Sequence, residues 1–402
     1  MHARVYGALV LALLCDRVAF ADDPTPAPPP AEPKLTSPQP PEPEVRDSRA
    51  AGLAIDHFTF DAFGYLRIQY IAVQNDPNVQ FVGRDDGFEI QNARFGFAGT
   101  YHERARYIIA IDGAVDERTQ VNTPQGKLAV GLRDAYVDVA LAGKVSTYRP
   151  ETLAFIRGGY FQTWVDPEAL VPDTTREFVD HPIESRGMRA TEGYQTPGLP
   201  PGRSIGTAIR LEPQVGDQAG FGFEIAAQNG ADEFSSNNDN DALALSIAGL
   251  VRFARDGWIV VAGRWNPRTV GMLPFRQDES DYQGSAGLHA VFGPLSIGGG
   301  GIVQHTVYET TGGPSQNAYG AHVQAMFTVG PPSQPFSFGY RFGVLDPSSL
   351  FTTDRVMEHT VGAVLGMPRL RMRFQLQLVH VVEQAARDLR NDRGQIAAEL
   401  DL

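Results

Sequence analysis

Cysteine is almost absent: the one in the chain is Cys15. It falls within an N-terminal segment that reads as an address label, with His2 and Arg4, an apolar run from Val5 to Cys15, and Ala19-Phe20-Ala21 ahead of Asp22. A lipid anchor at Cys15 fits poorly, because Leu14 precedes it and Asp16 and Arg17 follow. The mature chain then has no disulfide, no thiol nucleophile and no thiolate metal ligand. Lysine is scarce too, at Lys34, Lys127 and Lys144. The chain has no apolar run long enough for a helical membrane span. It also lacks a Gly-x-Ser-x-Gly elbow, a His-Glu-x-x-His pair and a phosphate-loop context for its glycines, which removes the main support for a barrel hydrolase.

Strand periodicity fills the space these absences leave. From Ala93, alternate residues Phe95, Phe97, Gly99 and Tyr101 fall on one face, and Arg94, Gly96, Ala98, Thr100 and His102 on the other. After Glu103 and Arg104 the pattern resumes, with Ala105, Tyr107, Ile109, Ile111, Gly113 and Val115 opposed to Arg106, Ala110 and Asp112. The two runs make an antiparallel hairpin whose arms reach the roughly 9–11 residues that cross a bilayer at a tilt. One face is apolar with aromatics near its ends, and the other is polar, as in a barrel with lipid outside and water inside.

The same pattern recurs from Phe58 to Leu402, in about sixteen strands by count. The fold class expected is all-β: a transmembrane antiparallel β-barrel, with a signal peptide at 1–21, a proline-rich periplasmic tether at 22–57 and the barrel at 58–402. Short turns such as Phe292 to Leu295 alternate with longer polar stretches such as Gly230 to Asp241 and Pro267 to Asp281, matching periplasmic turns and outer loops. The longest interruption, 165–203, carries Asp173, Arg176, Glu177, Glu184 and Arg186 and is expected to fold into the lumen as a constriction loop.

Four segments in order, Gly64-Tyr65-Leu66-Arg67-Ile68-Gln69-Tyr70, Ala93 to Thr100, Leu132 to Asp138 and Arg157-Gly158-Gly159-Tyr160-Phe161, resemble the phosphate-selective porin O and P family. Glu184-Ser185-Arg186-Gly187-Met188 and Gln228-Asn229-Gly230 extend the likeness. The resemblance implies a sixteen-stranded trimeric channel in the outer membrane of a Gram-negative-type bacterium, selecting anions through pore arginines and a lysine-rich vestibule. The three lysines here form no such cluster. An arginine facing lipid at mid-depth costs roughly 2–4 kcal/mol, so strand arginines should point inward. Arg67, Arg94, Arg210, Arg264, Arg341, Arg371 and Arg373 are the expected anion path.

The expected function is passive diffusion of small hydrophilic solutes, anions or phosphate preferred, with a general or cation-tolerant pore as the alternative. Two candidates come from different functional classes, an outer-membrane barrel enzyme and a soluble periplasmic sugar-binding β-sandwich. No cofactor, metal or nucleic acid is expected; the partners are outer-membrane lipid and lipopolysaccharide, small solutes and two further copies of the chain.

Overall fold

The computed structural model describes residues 53–55, 57–83, 86–116, 128–143, 145, 153–189, 191–193, 195–213, 219–230, 238, 240–253, 257–271, 274–309, 314–384 and 389–402. The expected signal peptide, nearly all of the tether, and Lys34, Lys127 and Lys144 lie outside the described residues.

The strands are β1 (Leu53–Ile55), β2 (Phe58–Val73), β3 (Gly87–Tyr101), β4 (Ala105–Asp116), β5 (Leu128–Ala142), β6 (Leu153–Phe161), β7 (Ser204–Glu212), β8 (Gly220–Gln228) and β9 (Ala244–Phe253). They continue as β10 (Gly257–Val270), β11 (Gln277–Phe292), β12 (Leu295–Tyr308), β13 (Gln316–Val329), β14 (Phe336–Asp346), β15 (Val356–Met367), β16 (Met372–Glu383) and β17 (Arg393–Asp401). From β2 to β17 each strand pairs antiparallel with the next, and β17 pairs back onto β2 from Arg393↔Val73 to Asp401↔Tyr65. Sixteen strands thus close a barrel without a free edge, which is the condition for a sheet to stand in lipid. The short β1 pairs with the part of β2 that β17 leaves open, Leu53↔Phe60 to Ile55↔Phe58.

The polarity of the wall is inverted relative to a soluble sheet. Ile247, Val261, Val303 and Leu378 are more than half exposed on the outside, while Arg67, Gln69, Glu224, Gln377 and Gln395 are fully buried inside. A β-sandwich hides its apolar face, so this arrangement excludes the soluble sandwich and requires a lipid surround.

Two irregularities re-aim inward side chains. Where Arg67 faces Asn92 and Ile68 faces Ile90, Gln91 is the extra residue of a bulge. Where Ala110 faces Asp134 and Ile111 faces Leu132, the extra residue is Arg133. The outer stretch expected at Pro267 to Asp281 is mostly strand, because the Arg268↔Glu279 pair and Arg268 Nε to Asp281 at 3.0 Å extend the β10–β11 ladder.

After Phe161 the chain leaves the wall. Two 3₁₀ turns, Pro167–Leu170 and Asp173–Thr175, and one α-helical turn, Ile183–Arg186, lead back to β7. This loop packs inside the barrel against β9 to β16. Trp164 and Val165 join Leu250, Trp258 and Val260, while Ile183, Met188 and Leu199 join Ile302, Leu345, Val379 and Val381. Glycines let it seat closely: a Cβ on Gly320 would lie 2.3 Å from Glu184 Cβ, and one on Gly362 would lie 2.8 Å from the Phe178 ring.

Candidate functional site

With the loop against one wall, the lumen stays open along β3 to β9 in three joined cavities. The outer one, at the long-loop end, has a volume of about 430 Å³, the middle one about 460 Å³ and the inner one, at the short-turn end, about 550 Å³. Arg133, Asp173, Arg176 and His181 line both the outer and the middle cavity. Gln162, Ala169 and Arg203 line both the middle and the inner.

The described lining contains ten arginines and seven carboxylates. The arginines are Arg94, Arg106, Arg133, Arg157, Arg176, Arg186, Arg189, Arg203, Arg210 and Arg252; the carboxylates are Asp112, Asp134, Asp166, Glu168, Asp173, Asp180 and Glu212. A path of net positive charge therefore runs through a chain whose formal charge is −13.

Asp173 is the hub of the throat. Its carboxylate accepts from Arg94 at 2.7 Å, from the Tyr65 hydroxyl at 2.9 Å and from Arg176. Burial alone would raise its pKa, but Arg176 and Arg94 outweigh burial and hold the carboxyl well below its usual range. Its backbone carbonyl accepts from Arg67 and Arg373, each at 2.7 Å.

Asp166, at the loop's entry, goes the other way: burial, reinforced by Glu168, pushes its carboxyl up to about 7. His181 lies 3.8 Å from Glu168 and 4.0 Å from Asp173. Burial and Arg176 nonetheless depress its imidazole well below the usual histidine range and keep it neutral.

The expected anion path divides into distinct groups. Arg94 and Arg210 line the open cavities. Arg67, Arg341 and Arg373 instead fasten the loop. Arg67 is fully buried and paired with Glu399. Arg341 donates to the carbonyls of Asp180 at 2.9 Å and His181 at 3.4 Å. Arg373 binds Glu399 at 2.6 Å and the Arg176 carbonyl at 2.8 Å. Arg264 donates to Gln283 at 3.3 Å within the β10–β11 wall and lines none of the three cavities. Arg371 is corrected outright: it lies exposed in the β15–β16 turn, after the 3₁₀ turn Pro368–Leu370, with a left-handed φ of 51°.

Among the loop residues, Asp173 and Arg176 stand in the throat. Glu177 accepts from Gln324 at 3.0 Å and from Ser296. Glu184 is buried against His322, and Arg186 joins Glu192 at 2.6 Å to Glu358 at 2.5 Å. Arg106, Arg133, Arg157, Arg189, Arg203 and Arg252 belong to the lining beyond the arginines of the expected anion path and constriction loop. Arg106 carries the right signal there, inward alternation beside Asp112.

No helix is long and apolar enough to cross a membrane, and no group of three potential metal ligands comes together, both among the described residues. No protein-family model and no curated protein matches the chain.

Among solved structures, the outer membrane channel DcaP of Acinetobacter baumannii superposes with a TM-score of 0.56 at 12% identity, covering 88% of this chain and 100% of that one. The anion-selective porin from Comamonas acidovorans gives 0.55 at 12% identity, over 86% and 100%. OmpT, an outer membrane protein of Vibrio cholerae, gives 0.54 at 12% identity, over 88% and 100%. At such identities the likeness is one of fold, and that fold is the sixteen-stranded outer-membrane porin barrel.

Proposed function

We propose that this chain is an outer-membrane porin through which small hydrophilic solutes diffuse down their gradients, with a preference for small anions, phosphate among them. The observation that carries the reading is the excess of arginine along the open path in a chain of net charge −13. Local lumen charge governs permeation more than the total does, because low-dielectric walls focus the field of the groups nearest the ion. Guanidinium groups stay charged at all working pH values and can replace part of an anion's hydration shell. A series of weak sites on β3, β4, β5, β6, β7 and β9 favours conduction over capture.

The short turns then face the periplasm and the long loops the outside, with lipid and lipopolysaccharide against the apolar belt. The likeness to an anion-selective porin supports the reading, and with it we infer a homotrimer, a cleaved signal at 1–21 and a periplasmic tether at 22–57. Diffusion needs no cofactor, and we read the chain as a channel and not as a barrel enzyme.

A second reading has its own observation. Arg94 with Asp173, Arg203 with Asp134 and Arg106 with Glu212 are ion pairs, at 2.7, 2.9 and 2.8 Å, and such pairing tends toward a general pore. The reversal potential of the purified channel in a planar bilayer under a potassium chloride gradient decides between them. Anion preference that phosphate suppresses supports the first reading; a cation-preferring channel sinks it.

A further inference from the structure

The three cavities differ in kind. The outer one is walled by charged and amide side chains and the His181 imidazole, with Ala114 its one apolar contributor. The inner one sets five guanidinium groups, from Arg106, Arg157, Arg203, Arg210 and Arg252, against Ile108, Tyr136, Trp164, Leu170 and Pro213. At about 550 Å³ it has the size of a small-molecule site.

Two further carboxylates stand behind its cations, outside the lining. Asp138 and Glu224 are fully buried. Arg157 closes on Asp138 with bonds of 2.7 and 2.9 Å, and Arg210 closes on Glu224. Aromatic rings cover the guanidinium faces: Arg157 lies 3.7 Å from the Tyr136 ring centre and Arg210 5.2 Å from that of Trp164. Asp134 and Glu212 share the lining, so the chamber presents five guanidinium groups against two carboxylates and its wall stays positive on balance.

Arg106 is held between Asp138 at 2.6 Å and Glu212 at 2.8 Å, and Arg203 holds Asp134 at 2.9 Å. Arg252 has no hydrogen bond to any described residue, and Glu212, whose charge attracts it, already accepts from Arg106.

Phosphate gains nothing from the apolar part of this wall, since apolar surface cannot replace its hydration. A carboxylate carried on an apolar body gains twice, from the guanidinium and from burial of its body. We propose that the inner chamber is a subsite for organic monocarboxylates with an apolar body, with Arg252 anchoring the carboxylate and the Leu170 side of the chamber receiving the body. The proposal rests on the porin reading and names a substrate class for one part of the path.

The test is block of potassium chloride current through the full-length channel by benzoate, acetate and inorganic phosphate, each added at the short-turn side. Benzoate should block at about one tenth the concentration of acetate, the gain expected from burying roughly half a phenyl ring. Leu170→Asn should remove benzoate's advantage and leave acetate block unchanged, whereas Arg252→Gln should weaken both. Equal potency of benzoate and acetate in a conducting channel overturns the subsite and leaves the porin reading standing. Benzoate block of wild-type strength in both variants likewise overturns it. A folded barrel that passes no potassium chloride current overturns both.

Discussion

Arg94 on β3 and Asp173 on the inserted loop meet at 2.7 Å, so a wall cation of the middle cavity pairs with the loop anion that faces both the outer and the middle cavity. The Tyr65 hydroxyl binds the same carboxylate oxygen from β2. Asp173→Asn should free Arg94 and Arg176 for permeating anions. Removing one charge ~10 Å from an ion, at an effective dielectric of about 20 and with physiological screening, is worth about 0.5 kcal/mol, favourable for an anion and unfavourable for a cation, so the anion-to-cation permeability ratio should rise roughly fivefold. Reversal potentials measure that ratio directly, and an unchanged value would show that Asp173 does not face the conducting path.

Asp166 gives the channel a pH dependence whose sign is fixed. Its carboxyl is raised from 3.8 to about 7 by burial and then by Glu168, so the folded chain keeps a proton there that the unfolded chain has lost. Between those two values rising pH costs stability, and across about 7 it adds a negative charge to the middle cavity. Anion preference should therefore fall as pH rises through that value, and Asp166→Asn should flatten the profile. His181 stays neutral over the same range and adds no opposing step. Reversal potentials taken on both sides of neutrality check this; a wild-type profile in Asp166→Asn would assign the titration elsewhere.

Gly320 tests the seating of the loop. A valine there places its Cβ 2.3 Å from Glu184 Cβ, which the loop can relieve only by moving into the lumen. Overpacking of this kind costs about 1–3 kcal/mol. Gly320→Val should make the loop cleavable by trypsin at Arg186 or Arg189 in the folded barrel. Resistance equal to wild type would show that the wall yields instead.

Deleting Pro172 to Thr196 should do more than widen the pore. The deletion removes the carbonyls of Asp173, Arg176, Asp180 and His181 that Arg67, Arg341 and Arg373 now bind. Those arginines would then face water, so single-channel conductance and anion preference should rise together. Conductance that rises while selectivity falls would place the selective groups on the loop itself.

How far residues were legible in sequence depends on what determines them. The inward set of β2 and β3 followed from a period of two, because one polar face against an apolar one leaves a single register: Arg67 and Arg94 point inward, Phe95 and Phe97 outward. The bulges at Gln91 and Arg133 were not legible, since one extra residue leaves no mark in composition. The role of Arg341 was hidden for a different reason. Its acceptors are backbone carbonyls 161 and 160 positions away, and a carbonyl carries no side-chain signature. Arg371 was misplaced because a helical turn beginning at Pro368 takes up residues whose alternation also suits a strand.

The seam between β17 and β2 has a consequence in time. Arg67 finds Glu399 across 332 positions of sequence, and β2 has no partner on that side beyond β1 until β17 arrives. Loop-closure entropy must be overcome before this pairing returns any free energy, so the ring cannot shut early. Until then an open sheet with an apolar outer surface has two unpaired edges, the state most exposed to aggregation. Assembly is therefore bound to be slow and to need a holding partner, with the final hairpin acting as the clasp that ends the chain's vulnerability.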